Sequence, residues 1–222
     1  MLRGIFFKEW IKIRKYFYAC FLLNLVFMAY YFFFLRNLFN VEHSEFIWYR
    51  AFDIGVIYYD YLKWPLLICG AIIGVSQFAF EMTSHRFRLS LHLPCSTEKI
   101  VFGHILIGLL LITGLVLMTT CIMFFVTRHF FPAVAAISFV LTALPWFFGG
   151  IAVYLGTALV FLEPSFYRKI IYLVISSGFI FLFFMGDGYE EYNRVFIKIG
   201  IIFILYFFSV FVPGLRYRMS MG

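Results

Sequence analysis

Five histidines, four cysteines and eleven acidic residues are the groups in this 222-residue chain that could do acid–base, nucleophilic or metal chemistry. Their spacing argues against all three. His43, His85, His92, His104 and His129 are scattered along the chain, and His85 and His92 have only Cys95 near them. A structural or catalytic zinc needs three or four ligands at short spacing, so no metal site is predicted. A hydrolase would need carboxylates and imidazoles in one water-shielded place. Glu190, Glu191 and His129 instead fall in short polar segments between apolar stretches. No glycine is followed by lysine, so the phosphate-cradling G-x-x-x-x-G-K-[ST] loop is absent. No catalytic residue, metal or cofactor is expected in this chain.

The ordered chemistry lies elsewhere, between Phe80 and His104. Glu81 closes an apolar run, and Arg86 and Arg88 follow in a basic amphipathic stretch. Leu91-x-Leu93-Pro94 breaks that stretch, and Ser96-Thr-Glu98-Lys99 starts the next apolar run. Ser96 is placed to cap a helix, with Glu98 and Lys99 in its first turn. This reads as a small helix with an apolar underside and outward arginines, ended by proline. A second amphipathic stretch covers residues 2–16. Lys8, Lys12 and Lys15 share one helical face, and Phe6, Trp10 and Ile13 the other. Such a helix is predicted to lie in a membrane interface, lysines toward headgroups.

The elements that must position these stretches are membrane spans. The chain is 64% hydrophobic and 13% charged, with a mean hydropathy of +0.96, which no ordinary soluble domain shows. Six apolar runs read as spans: 17–35, 64–80, 101–126, 133–162, 170–185 and 195–212. Each can cross a hydrocarbon core of about 30 Å at about 1.5 Å per residue, given tilt or local thinning. No Asp, Glu, Lys or Arg falls in their interiors, apart from Lys198 near the outer end of the sixth. Intramembrane charges usually mark ion sites and proton relays. Their absence predicts a channel-former or carrier whose driving force comes from elsewhere.

Segments on the N-terminal side (1–16, 81–100, 163–169, 213–222) hold 12 Lys/Arg against 4 Asp/Glu; the opposite segments hold 6 against 7. The positive-inside rule then places both termini in the cytoplasm. The net charge of +7 faces anionic lipid rather than nucleic acid, since it is scattered and not striped. No cleavable leader is expected, and the first run should stay as an anchor. Cys20, Cys69 and Cys121 fall within spans and Cys95 in a cytoplasmic loop, away from outer loops where disulfides form. Part of the aromatic and acidic segment 36–63 is expected to be a helix lying on the outer surface. Gly70-x-x-x-Gly74 fits a close helix crossing, within the chain or between copies. Pro145 before Gly149-Gly150 is expected to bend or interrupt the fourth span, at a possible pathway position.

The stretch from Phe80 to His104 resembles the permease subunits of type-2 ABC exporters, the ABC-2 family. That pattern typically reads Phe-x-x-Glu, a basic stretch, Leu-x-Leu-Pro-x-Ser and Ile-x-x-Gly-Lys. The matching residues are Phe78/Phe80 with Glu81, Arg88, Leu91, Leu93, Pro94, Ser96, Ile100 and Gly103. Lys8-Glu9-Trp10 followed by Arg14-Lys15 looks like the family's interfacial elbow helix. Two departures stand out: His104 replaces the customary lysine, and the outer segment 186–194 is shorter than the family's re-entrant hairpin.

The resemblance implies an all-α integral membrane protein of the cell (inner) membrane, one domain over 1–222. It has six spans, an elbow helix over 1–16 with Lys8, Trp10, Lys12 and Lys15, and a cytoplasmic coupling helix. It also implies two permeases, identical or paired with a sister, and separate ATP-binding subunits that hold ATP and Mg. Glu81, Arg86, Arg88, Leu91, Pro94, Ser96 and Lys99 would dock into that subunit, whose closure rocks the spans between inward and outward states. A channel or scaffold with no ATPase partner is the alternative, and leaves the order of residues 81–103 without a reason.

Overall fold

The computed structural model describes residues 2–83, 97–186, 188–213 and 216; for residues 2, 3, 5, 80–83, 97–101 and 196 it describes the backbone alone. Every regular element among them is helical. α1 runs from Leu2 to Val41, α2 from Ser44 to Phe52, α3 from Lys63 to Thr83 and α4 from Thr97 to Phe130. α5 (Ala133–Leu162), α6 (Phe166–Phe181) and α7 (Phe196–Ser209) complete the fold. Short 3₁₀ turns at Asp60–Leu62, Leu182–Phe184 and Glu191–Arg194 lead into α3, extend α6 and precede α7.

Five helices are long and apolar enough to cross a membrane: Phe6–Val41, Asp60–Ala79, Phe102–Phe130, Ala133–Leu162 and Phe166–Phe184. The sixth apolar helix, Ile197–Pro213, is shorter. Before it the chain turns through Glu190, whose φ of 54° lies in the left-handed region, and the 3₁₀ turn after it. The expected sixth span is matched, among the described residues, by the apolar helix Ile197–Pro213. The chain is an all-α protein of the multi-pass membrane type.

The expected elbow is not a separate element. Residues 2–41 form one helix of 40 residues, absorbing both the 1–16 segment and the first span. Neither glycine nor proline occurs between residues 5 and 41 to break it. Its buried side chains, Glu9, Ile13, Cys20, Asn24, Met28, Tyr31 and Leu35, keep one stripe at helical spacing through both parts. The same stripe that seats the span in the bundle thus seats the N-terminal turns.

α5 is the central helix: 61% of its most apolar window is buried, against 28% for α1 and 17% for α6. α3 packs on α5 more extensively than any other pair, and glycines make that possible. A Cβ on Gly70 would strike the Gly150 carbonyl, and one on Gly150 would stand 2.7 Å from the Leu66 carbonyl oxygen. Gly74 faces the Thr157 hydroxyl. In lipid, where burial alone drives little association, such backbone approach gains dispersion energy over the whole crossing. The Gly70/Gly74 pattern is therefore spent within the chain. Of the expected bend or interruption at Pro145, the interruption does not occur: α5 runs through it as one helix. Gly149 abuts the Phe184 ring and Gly150 abuts Leu66, which makes both packing residues.

On the opposite side, α2 turns Ile47 and Ala51 inward, and Arg50 Nη1 pairs with Glu42 Oε1 at 2.8 Å. The Tyr189 hydroxyl donates to the Val56 carbonyl at 2.9 Å, tying the segment before α7 to the loop after α2. Burial pushes the Tyr189 phenol above its ordinary range, so it stays a neutral donor.

Candidate functional site

A charged node sits at the base of the bundle, where α3 and α4 meet the segment that joins them. Glu9 of α1 is completely buried, as are Gln77 of α3 and Tyr154 of α5; His104 of α4 is 3% exposed. An isolated carboxylate at such a place would cost several kcal/mol in lost hydration. Glu9 is not isolated. Lys12, one turn on, brings Nζ to 3.1 Å from Oε1 and 3.0 Å from Oε2. His104 Nδ1 lies 3.3 Å from Oε1. Gln77 Nε2 donates to Oε2 at 3.3 Å.

Every helix in the node is then tied to another. Lys12 Nζ also donates to the Gln77 carbonyl at 2.8 Å. Gln77 Nε2 donates to the His104 carbonyl at 2.5 Å, joining α3 to α4. The Tyr154 hydroxyl lies 2.9 Å from Gln77 Oε1 and 2.9 Å from the Ile105 carbonyl, and can donate to either. Gly108 makes the space: a Cβ there would run into both the Tyr154 hydroxyl and Gln77 Oε1. Four helices therefore converge on one carboxylate and one amide.

Two neutral clusters follow along the same seam. Asn24 Nδ2 donates to the Cys20 carbonyl at 2.8 Å and to Cys69 Sγ at 3.1 Å. Thr119 Oγ1 donates to Asn24 Oδ1 at 3.3 Å. Further along, the Tyr31 and Thr127 hydroxyls meet at 2.9 Å. Between Glu9 and Asn24 the buried residues are mainly apolar, with Ile13 and Cys20 on α1, Ile73 on α3, Ile105 and Ile112 on α4, while buried Ser76 bonds back to the Ile73 carbonyl of its own helix.

The sequence-predicted residues divide. Arg86, Arg88, Leu91, Pro94 and Ser96 lie outside the described residues; Glu81 and Lys99 lie on the last turns of α3 and the first turn of α4. Lys8 and Lys15 are exposed. Trp10 is half-buried and packs on Phe17 and Tyr18 at 5.8 and 6.2 Å between ring centroids. Lys12 differs from expectation: it turns into the node rather than toward headgroups, because Glu9 and the Gln77 carbonyl offer it partners. Pro145 borders a small apolar cavity of about 100 Å³ with Phe148, Phe183, Tyr192, Ile199 and Phe203. The sequence marked Glu9 and His104 only within the resemblance and did not pair them, and it did not single out Gln77 or Tyr154. Their signal was polar type within otherwise apolar runs, with Glu9 in helical register with Ile13, Cys20 and Asn24. Among the described residues no cluster of His, Cys, Asp and Glu could hold a metal ion.

Comparison with protein families, with curated proteins and with solved structures finds no match.

Proposed function

We infer that this chain is the membrane-spanning subunit of an ATP-driven exporter of the ABC-2 type, energised by a separate ATP-binding subunit. The observation that carries the reading is the place of the charged node. It lies immediately inside the segment whose residue order resembles an ABC-2 coupling turn. It knits both helices rooted in that turn, α3 and α4, to α1 and α5. A push on the turn from a motor subunit would meet a joined base, not four loose helix ends. The chain itself holds no phosphate-cradling loop. Glu9 and His104, both in positions the resemblance marks, are 3.3 Å apart at that base.

The mechanism follows from rigidity. Packed helices have discrete arrangements rather than a continuum, so a base displacement is passed on as helix tilt. Nucleotide-driven closure of the partner would tilt α3 and α4, and the glycine crossing would carry α5 with them. The test is purification from the native membrane followed by ATPase and transport assays in proteoliposomes. An ATP-binding subunit is expected to co-purify. Arg86→Glu with Arg88→Glu is expected to leave hydrolysis within about twofold and to cut transport at least tenfold. Purification without any nucleotide-binding chain, or full transport by the double reversal, would refute the reading and favour a channel or scaffold.

A further inference from the structure

The geometry points to Glu9 as the positioning residue that locks the N-terminal turns of α1 to the bases of α3 and α4, so that the three move as one body. This deepens the exporter reading by naming α1 as a driven helix, and rests on that reading only for the source of the motion.

Glu9 meets groups from three sources within 3.3 Å: Lys12 of its own helix, Gln77 of α3 and His104 of α4. Because the carboxylate is fully buried, separating α1 from either neighbour would strip a charge of partners where water cannot replace them. A neutral hydrogen bond resists such separation weakly; a buried charge resists it strongly. Over the next turns of α1 the buried side chains include Ile13, Cys20, Ile73, Ile105 and Ile112, all in one core cluster, with a weak Cys69 thiol contact to the Cys20 carbonyl at 3.7 Å. Apolar contact is non-directional and tolerates sliding. Register between α1 and α4 is next specified at Asn24 and Thr119, by one bond of 3.3 Å. That pair lies 15 residues along α1, about 22 Å at the helical rise. Among the described residues, the node is thus the charged tie between the basal third of α1 and both α3 and α4. Another face of the same turns is open, with Phe7 67% and Ile11 45% exposed.

Pulsed electron–electron spin distances in the full chain in nanodiscs test this, with Cys95 and Cys121 replaced by serine. One label pair sits at the base, at Phe7 on α1 and Phe102 on α4. The other sits higher on the same helices, at Tyr30 and Leu117; all four positions are exposed. Glu9→Gln is expected to widen the basal distance distribution at least twofold and leave the upper pair as in the wild type. An unchanged basal pair would overturn the assignment, and so would equal widening of both pairs, which marks general loosening. If Glu9→Gln does not yield folded protein, Lys12→Gln decides. Its side chain is half-buried and reaches the surface, and it should widen the basal pair alone, by less. The measurement uses no ATP-binding partner, so failure of the exporter reading would leave its outcome unaffected.

Discussion

His104 stands where the resembled pattern has lysine, and its neighbour is a buried carboxylate. Lysine at that place would offer Glu9 an N–H donor, as His104 Nδ1 can at 3.3 Å, so both residue types can serve the same carboxylate. His104→Ala leaves Glu9 with Lys12 and Gln77 but opens a hole against Oε1. Leaving a buried carboxylate short of one partner costs about 1–3 kcal/mol, and a loss in that range is expected here. Thermal unfolding in detergent should show His104→Ala well below His104→Lys, and equal melting of the two would remove the account of His104 as a partner of Glu9. Tyr154→Phe deletes one hydroxyl that serves both Gln77 and the Ile105 carbonyl. A loss of about 1–2 kcal/mol is expected for it by the same measurement.

Helices α3 and α5 depend on absent side chains. Gly150→Ala places a methyl 2.7 Å from the Leu66 carbonyl oxygen, a backbone atom that cannot swing aside. Gly114 on α4 has open space around its missing Cβ. Gly150→Ala is expected to lower the melting temperature strongly or abolish monodisperse expression. Gly114→Ala should be neutral or stabilising by up to about 1 kcal/mol through helix propensity. Size-exclusion profiles of the two variants separate these outcomes. At this scale the sequence was readable where periodicity and small residues coincide: the close crossing at Gly70 and Gly74 was visible, though not its partner. The partner, Gly150, carried the mark of a helix breaker beside Pro145, and the surrounding packing overrode that local tendency. The continuity of α1 was hidden for a related reason. Three lysines on one face suggest a surface helix, and only the tertiary fold reveals that Glu9 draws Lys12 inward.

For the molecule as a whole, the apolar runs announced an all-α membrane protein and located the long helices to within a few residues at most ends. What composition could not reveal was the buried ion pairing, because a charge at a span's edge looks the same whether it faces headgroups or a neighbouring helix. Membrane sidedness rests on the excess of Lys and Arg beside the chain termini. Cysteines introduced at Lys8 and at Val134, both exposed, should react from opposite sides of sealed vesicles with a membrane-impermeant maleimide. Only Val134→Cys should react from the outside; reaction of Lys8→Cys there instead would reverse the proposed topology, and reaction of both from one side would refute three crossings between them.

The length of α1 has a mechanical corollary. Forty residues make a rod about 60 Å long, roughly twice the thickness of the hydrocarbon layer. Pivoted near its middle, such a rod swings each tip by about 5 Å for every 10° of inclination. A nudge at the foot thereby reappears, undiminished and opposite in direction, at the far rim where α2 and the aromatic loop are attached.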